Sequence, residues 1–214
     1  IDPAAAVRTS LARWWAERNM GPAALLQMGD LERTLDWARG AGDAALLSSA
    51  LETAGWAQRA RGDLAAAAAL LEEGIAVATP DHPIEAVRAR RSRADVARLS
   101  GDVDDAEARC RAALVLARES GDAHGEGHVQ SLLGLVLLSR SDFDEAESAL
   151  LSALAQFGTT GDLREQGAVW NYLGTVAGRR WRPAEARARY ARGLSINQRA
   201  GAQHQALIAQ MGLA

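Results

Sequence analysis

The sequence predicts an all-α fold built from repeated antiparallel helix pairs. Ala- and Leu-rich runs such as residues 64–71 (LAAAAALL) contain few β-branched residues, which favours helix. Polar breaks between such runs recur at spacings of 39, 40 and 40 residues, and a period of this length is typical of a solenoid. Because 48% of the 214 residues are hydrophobic, the chain can build a continuous core from stacked units.

The first part of the chain, residues 1–42, is less regular, and we expect it to be a helical capping region. Asp2 followed by Pro3 is typical of a helix start, and this helix is expected to end near Gly21. A later helix is expected to carry its apolar residues on one face, namely Leu31, Leu35 and Ala38.

The remainder, residues 43–214, is predicted to be an array of helix-pair units. The expected units span 43–80, 81–120, 121–160 and 161–200, with a truncated fifth from 201. The breaks within the four full units are Gly62-Asp63, Gly101-Asp102, Ser141-Asp142 and Trp181-Arg182. Gly followed by Asp suits chain reversal and then the N-cap of the next helix.

Small residues recur at fixed positions, which we number as places in a 34-residue frame from Gly127 to Thr160. Place 8 holds Gly55, Ala94, Gly134 and Gly174, and place 20 holds Ala67, Ala106, Ala146 and Ala186. Place 24 holds the larger residues Leu71, Cys110, Leu150 and Tyr190. Because small residues let helices approach closely, we expect the closest contact of each pair between places 8 and 20.

This pattern resembles the tetratricopeptide repeat (TPR) family. Trp170, Leu173-Gly174, Ala186 and Tyr190 fit its consensus, as do Leu133-Gly134, Asp142-Phe143 and Ala146. The resemblance implies a right-handed superhelix that is lined by the first helix of each pair and binds a protein or peptide in its concave groove. The period near 40 is longer than the family's usual 34 and is similar to the TPR arrays of bacterial STAND and LuxR-type regulators. It implies a sensor or scaffold region of a larger regulatory protein.

The family's groove places identify the candidate binding residues. They form an inner wall that is basic near residues 88–98 and apolar near residues 135–138. We expect it to suit a peptide with acidic and apolar groups. The alternative is an ordinary solvated helix face. The candidates are Trp56, Arg59, Arg88, Arg91, Asp95, Arg98, His128, Leu135, Leu138, Asn171 and Arg179. Asn171 is suited to bonding a ligand backbone.

Two arginines, Arg90 and Arg93, fall at places that are normally apolar, where an unpaired charge is unfavourable. We predict that both pair with acids such as Asp63, Asp102 or Glu107. Among the tryptophans, Trp170 is predicted to be in the core, whereas Trp56 and Trp181 are the best candidates for exposed aromatics.

Composition and motifs favour a non-catalytic module without cofactors. A net charge of −3 gives no general attraction to nucleic acid or anionic membrane. One cysteine, Cys110, fits a reducing, cytoplasmic location and a core position. No phosphate-binding glycine motif or nucleophile–base set is present, so any catalytic domain is expected outside this sequence. His124 and His128 stand four residues apart but have no evident third ligand, so we predict no metal site. Two alternatives stay open: self-association, for which Leu135 and Leu138 are candidates, and a regulatory arm of a multidomain enzyme.

Overall fold

The computed structural model describes residues 28–78 and 80–213. These residues form ten α-helices, numbered here in chain order. They are α1 (Met28–Gly40), α2 (Ala44–Ala60), α3 (Leu64–Val77), α4 (Pro83–Leu99), α5 (Val103–Glu119), α6 (Ala123–Arg140), α7 (Phe143–Thr160), α8 (Leu163–Arg179), α9 (Pro183–Arg199) and α10 (Gln203–Leu213). The expected Asp2-Pro3 helix start and the helix ending near Gly21 lie outside the described residues.

The helices pack as sequential antiparallel pairs in a TPR-like repeat array, which confirms the predicted all-α class. Helices α2 and α3, α6 and α7, and α8 and α9 form three of these pairs. The first helix of a pair also contacts the first helix of the next pair, as α2 contacts α4 and α8 contacts α10. Neighbouring first helices therefore present their side chains to one another, and this arrangement positions the candidate site.

The chain divides into two compact units, one ending at Arg109 and the other beginning at Cys110. A cluster in the first unit joins α1 to α2, and the predicted apolar face of α1 is confirmed within it. Its buried members are Leu31, Leu35, Ala38, Leu46, Ala50, Leu51, Ala54 and Ala57. In the second unit, Phe157, Leu150 and Leu173 are among the largest fully buried side chains.

The recurring Gly-Asp pairs act as predicted. Asp43, Asp63, Asp122 and Asp162 are N-caps whose side chains accept a hydrogen bond from the third backbone amide of the following helix. The glycine before each has a positive φ, between 67° and 85°. Ser141 and Trp181 take the same left-handed conformation without being glycine, with φ of 69° and 57°.

The closest approach within a pair differs from the prediction. A Cβ built on Gly134 meets Leu150 Cγ at 2.6 Å, whereas the nearest atom of Ala146 is its backbone oxygen at 3.3 Å. Gly55 lies against Leu71 and Gly174 against Tyr190 in the same way. Place 8 therefore accommodates the large side chain of place 24 rather than the small residue of place 20. The small residue remains buried, as Ala146 is fully buried.

Candidate functional site

A buried carboxylate lies between the first helices α2 and α4. Glu52 is 1% exposed. Its Oε2 accepts a hydrogen bond from Arg88 Nη2 at 3.1 Å, and its Oε1 accepts one from the Ser92 hydroxyl at 2.8 Å. Arg91 Nη2 lies 3.7 Å from the same Oε1. Two arginines predicted to face a ligand therefore share one carboxylate of the preceding repeat.

A second carboxylate, Asp95, organises the other two arginines of this face. Arg59 on α2 forms an ion pair with Asp95 Oδ2 on α4. Arg98 donates from Nε and Nη2 to Asp95 Oδ1 at 3.0 and 2.7 Å. Because Asp95 Oδ2 binds Arg59 on α2, Asp95 links α2 to α4. Its Oδ1 binds Arg98, which lies one turn further along α4.

The predicted basic wall is thus a network of ion pairs. Four guanidinium groups face two carboxylates, which leaves a formal charge of +2. The alternative of a simply solvated helix face is wrong for these residues, because the arginine side chains are only 23–38% exposed and each contacts an acid. We call this network, comprising Glu52, Arg59, Arg88, Arg91, Asp95 and Arg98, the α2–α4 cluster.

Trp56 borders the cluster and is less exposed than predicted. It is half-buried and packs against the apolar cluster of the first unit. The Arg59 guanidinium lies 5.6 Å from its ring centroid, within cation–π range. The tryptophan therefore supports Arg59, which itself pairs with Asp95.

In the second unit, His128 belongs to an aromatic group. His124 and His128 meet edge to face with ring centroids 4.5 Å apart, and His128 lies 5.1 Å from the Phe157 ring. His124 Nε2 is 3.2 Å from Asp162 Oδ2. In the described part of the chain, no three His, Cys, Asp or Glu side chains are grouped so as to hold a metal ion.

The apolar part of the expected groove is smaller than predicted. Leu138 is only 8% exposed and belongs to the core, whereas Leu135 is half-buried. The premise of self-association through both leucines is therefore wrong, because a buried side chain cannot contribute to a docking surface.

Asn171 has a structural partner where a ligand was predicted. It is 1% exposed, and its Nδ2 donates to the backbone oxygen of Gln205 on α10 at 2.8 Å. Its Oδ1 is buried without a hydrogen-bond partner among the described residues, as are both polar side-chain atoms of Asn197. The prediction that Asn171 faces a ligand backbone is corrected, because it binds the chain's own next first helix.

The arginines at apolar places behave differently from each other. Arg93 pairs with Glu72 at 2.9 Å and lies 3.7 Å from Asp105, so pairing is confirmed with partners other than those named. Arg90 has a buried Nε without a hydrogen-bond partner in the described part of the chain, so pairing is wrong for that atom.

Arg109 shares both of Arg93's acids. Its Nη1 lies 3.0 Å from Glu72 and its Nε 2.7 Å from Asp105. Burial lowers the pKa of Arg109, but the hydrogen bonds and charges of Asp105 and Glu72 outweigh burial, so that its pKa is raised. The hydrogen bond to Glu73 likewise raises the pKa of Arg39. Both arginines therefore stay cationic over the physiological range.

The remaining residues singled out in the sequence are one arginine, two tryptophans and the cysteine. Arg179 is exposed. Trp170 is half-buried rather than fully in the core, and Arg192 lies over its ring at 4.3 Å. Trp181 is 92% exposed, which confirms its predicted exposure. Cys110 is fully buried, which confirms its predicted core position.

Sequence reasoning missed the structural role of Glu52. No local signal in the sequence marks Glu52 as buried. A pointer was available in the sequence, since arginines 36 and 39 residues later stand about one repeat away.

None of the helices in residues 28–78 and 80–213 has the length and apolar character to span a membrane.

These features define the chain as an all-α repeat protein whose first helices are joined by polar networks. Residues 85–157 match the tetratricopeptide repeat family model. Over these residues, the chain carries tetratricopeptide repeats. Proteins of this family bind other proteins or peptides. No curated protein sequence matches the chain.

Three solved structures illustrate the shared fold. BtubC from P. vanneervenii is 20% identical with a TM-score of 0.71, over 81% of this chain and 73% of that one. Aspartyl phosphate phosphatase F from Bacillus subtilis is 13% identical with a TM-score of 0.75, over 92% and 51%. A STAND protein with a tetratricopeptide repeat sensor from Pyrococcus horikoshii is 14% identical with a TM-score of 0.70, over 89% and 30%. At such identities, the similarity concerns the fold.

Proposed function

We propose that this protein-interaction module binds an acidic peptide segment with apolar side chains at the α2–α4 cluster. We further propose that it is the sensor or scaffold region of a larger bacterial regulatory protein. The observation that carries the binding proposal is the excess of guanidinium groups over carboxylates on adjacent first helices. A formal charge of +2 in a half-buried setting attracts anionic groups more strongly than exposed cations do.

The ion pairs also prepare the cluster for recognition. A guanidinium has five N–H donors, and Asp95 engages one nitrogen of Arg59 and two of Arg98. These contacts hold the planar groups in place, so less side-chain entropy is lost when a ligand carboxylate binds. Half-buried Trp56 supplies apolar surface beside Arg59 for an aliphatic ligand side chain.

The regulatory role is supported by two observations. The repeat spacing near 40 residues resembles the arrays of bacterial regulators. The fold is similar to 30% of the chain of a STAND protein that has a tetratricopeptide repeat sensor. The proposal is tested by the coding sequence on either side of the chain: an adjacent signalling ATPase or DNA-binding domain is expected, and a gene without any regulatory domain contradicts the role.

The binding proposal is tested with a fluorescein-labelled peptide of alternating Asp and Leu residues. We expect saturable binding by fluorescence anisotropy that weakens as NaCl rises from about 50 to about 500 mM, because salt screens the charges. Arg88→Gln is the first variant, since Arg88 is the most exposed arginine of the cluster and Arg91 and Ser92 remain beside Glu52. It should weaken binding by about 1–2 kcal/mol.

The matched control is Arg187→Gln, which removes the same charge from an exposed position on α9. It should leave the affinity unchanged. A neutral peptide of alternating Asn and Leu should bind at least about tenfold more weakly than the acidic one. Equal binding of both peptides, or an equal effect of both variants, contradicts recognition at the α2–α4 cluster.

A further inference from the structure

We propose that Trp181 anchors a second docking surface, which takes a folded partner protein offering an apolar pocket with an acidic rim. The surface lies at the turn between α8 and α9, within the second compact unit. The α2–α4 cluster belongs to the first unit, and this proposal does not depend on that cluster's function.

The first observation is exposure. Trp181 is 92% exposed, more than any other large hydrophobic residue in the described part of the chain. A large aromatic side chain left in water is unfavourable for a free protein, and tryptophan is among the residues enriched at the energetic centres of protein interfaces. Because the side chain projects from a turn, its complement has to be a pocket rather than a flat surface.

The second observation is backbone conformation. Trp181 has a φ of 57°, in the left-handed region that a bulky residue rarely adopts. The equivalent turns use Gly62 and Gly101, with φ of 85° and 86°, and Ser141. The side chain's high exposure means that its packing within the fold does not offset this strain. A strained residue that contributes little to folding indicates a functional constraint.

The third observation is charge. Arg179 and Arg182 flank the turn in the sequence, and both are exposed. Arg180 forms ion pairs with Asp144 and Glu147. Arg182 lies 3.5 Å from Glu185. The groups around the turn comprise four arginines and three acids, giving a formal charge of +1: Arg179, Arg180, Arg182, Arg189, Asp144, Glu147 and Glu185.

The formal charge of +1 around the turn indicates which class of partner fits this surface. Nucleic acid and anionic membranes are bound by several cations whose charge is not neutralised by neighbouring acids. Here carboxylates balance most of the positive charge, whereas the exposed aromatic ring is the dominant feature. A protein pocket with one or two carboxylates at its rim matches both the ring and the residual positive charge.

The test uses the full chain in its native host, with the photo-reactive residue p-benzoylphenylalanine as the probe at position 181. The cross-linked protein is identified by mass spectrometry, purified, and titrated against the wild type, Trp181→Gly and Arg182→Glu. We expect Trp181→Gly to weaken the complex at least about tenfold. The same substitution should raise the melting temperature of the free protein, because glycine adopts the positive φ without steric strain. Arg182→Glu should also weaken the complex, and the loss should shrink at high salt.

Trp37→Ala is the control, because Trp37 is also exposed, at 45%, but lies on α1. It should leave the affinity for the purified partner unchanged. The proposal is overturned if no protein cross-links at position 181, if the species captured is nucleic acid or a second copy of this chain, or if Trp181→Gly binds as tightly as the wild type.

Discussion

Gly134 lies directly against the side chain of Leu150, so that a Cβ added to the glycine would stand 2.6 Å from Leu150 Cγ. Both residues are buried, and they belong to the two helices of one pair, α6 and α7. The same relationship joins Gly55 to Leu71 in the first unit. In these two pairs, the distance between the helices is therefore set by a glycine opposite a large apolar residue.

The first prediction concerns this contact. Gly134→Ala should lower the free energy of unfolding by about 1–3 kcal/mol, because the methyl group overpacks the interface. Urea denaturation measures the change. The control is Gly158→Ala on α7, where an added Cβ meets nothing within 4 Å. That substitution should stabilise by about 0.5–1 kcal/mol through helix propensity. Equal effects at the two sites would show that the contact with Leu150 is unimportant.

The second prediction concerns the buried carboxylate. Glu52→Gln should lower the free energy of unfolding by about 1–3 kcal/mol, because Arg88 and Arg91 lose a charged acceptor in a half-buried place. Thermal and urea denaturation at neutral pH check this. The matched control is Glu73→Gln. Both side chains of the Glu73–Arg39 ion pair are exposed. Loss of this ion pair should therefore change the free energy of unfolding by under about 1 kcal/mol. A larger loss for the control would disprove the special role of Glu52.

The third prediction concerns the pair Gly167 and Asn197. A Cβ on Gly167 would stand 2.1 Å from Asn197 Oδ1, and Asn197 is fully buried. Gly167→Ala alone should therefore destabilise by about 1–3 kcal/mol. In an Asn197→Ala background the same change should be much milder, with a coupling of about 0.5–3 kcal/mol in a double-mutant cycle. Additive effects would contradict direct packing of the two residues.

The fourth prediction concerns the left-handed turn before α7. Ser141→Gly should raise the free energy of unfolding by up to about 1 kcal/mol, because glycine adopts a φ of 69° without the steric penalty of a Cβ. Gly161→Ala, at a φ of 72°, should have the opposite sign and a similar size. Differential scanning calorimetry distinguishes the two directions. A destabilising Ser141→Gly would refute the assignment of strain to this turn.

Much of the fold was predictable because the signals are local. The Gly-Asp pairs predicted the turns and the N-caps, and Asp122 and Asp162 accept the expected amide hydrogen bonds. These outcomes depend on φ preferences and on side chains three residues away, which a short stretch of sequence contains. The apolar face of α1 was predictable for the same reason, since Leu31 and Leu35 lie one helical turn apart.

The candidate site was predicted less well, because its chemistry depends on partners in other repeats. The positions of Arg88 and Arg98 on one face followed from the repeat frame. The pairing of Arg88 with Glu52 depends on how α2 packs on α4, and so does the pairing of Asp95 with Arg59. Arg98 pairs with Asp95 three residues away on its own helix. Asn171 shows the same limit, because its Nδ2 donates to the backbone of α10.

The sequence by itself determined the helices, their breaks and the repeat period, since hydrophobic periodicity and turn chemistry act over a few residues. Only the tertiary structure decided which residues of the two paired helices contact each other. Gly134 contacts Leu150 rather than the side chain of Ala146. The tertiary structure also decided which charges are neutralised and which side chain remains in solvent, as Trp181 does. The physical reason is that burial and ion pairing depend on distances between residues that lie up to a whole repeat apart in the sequence, and helix packing sets those distances.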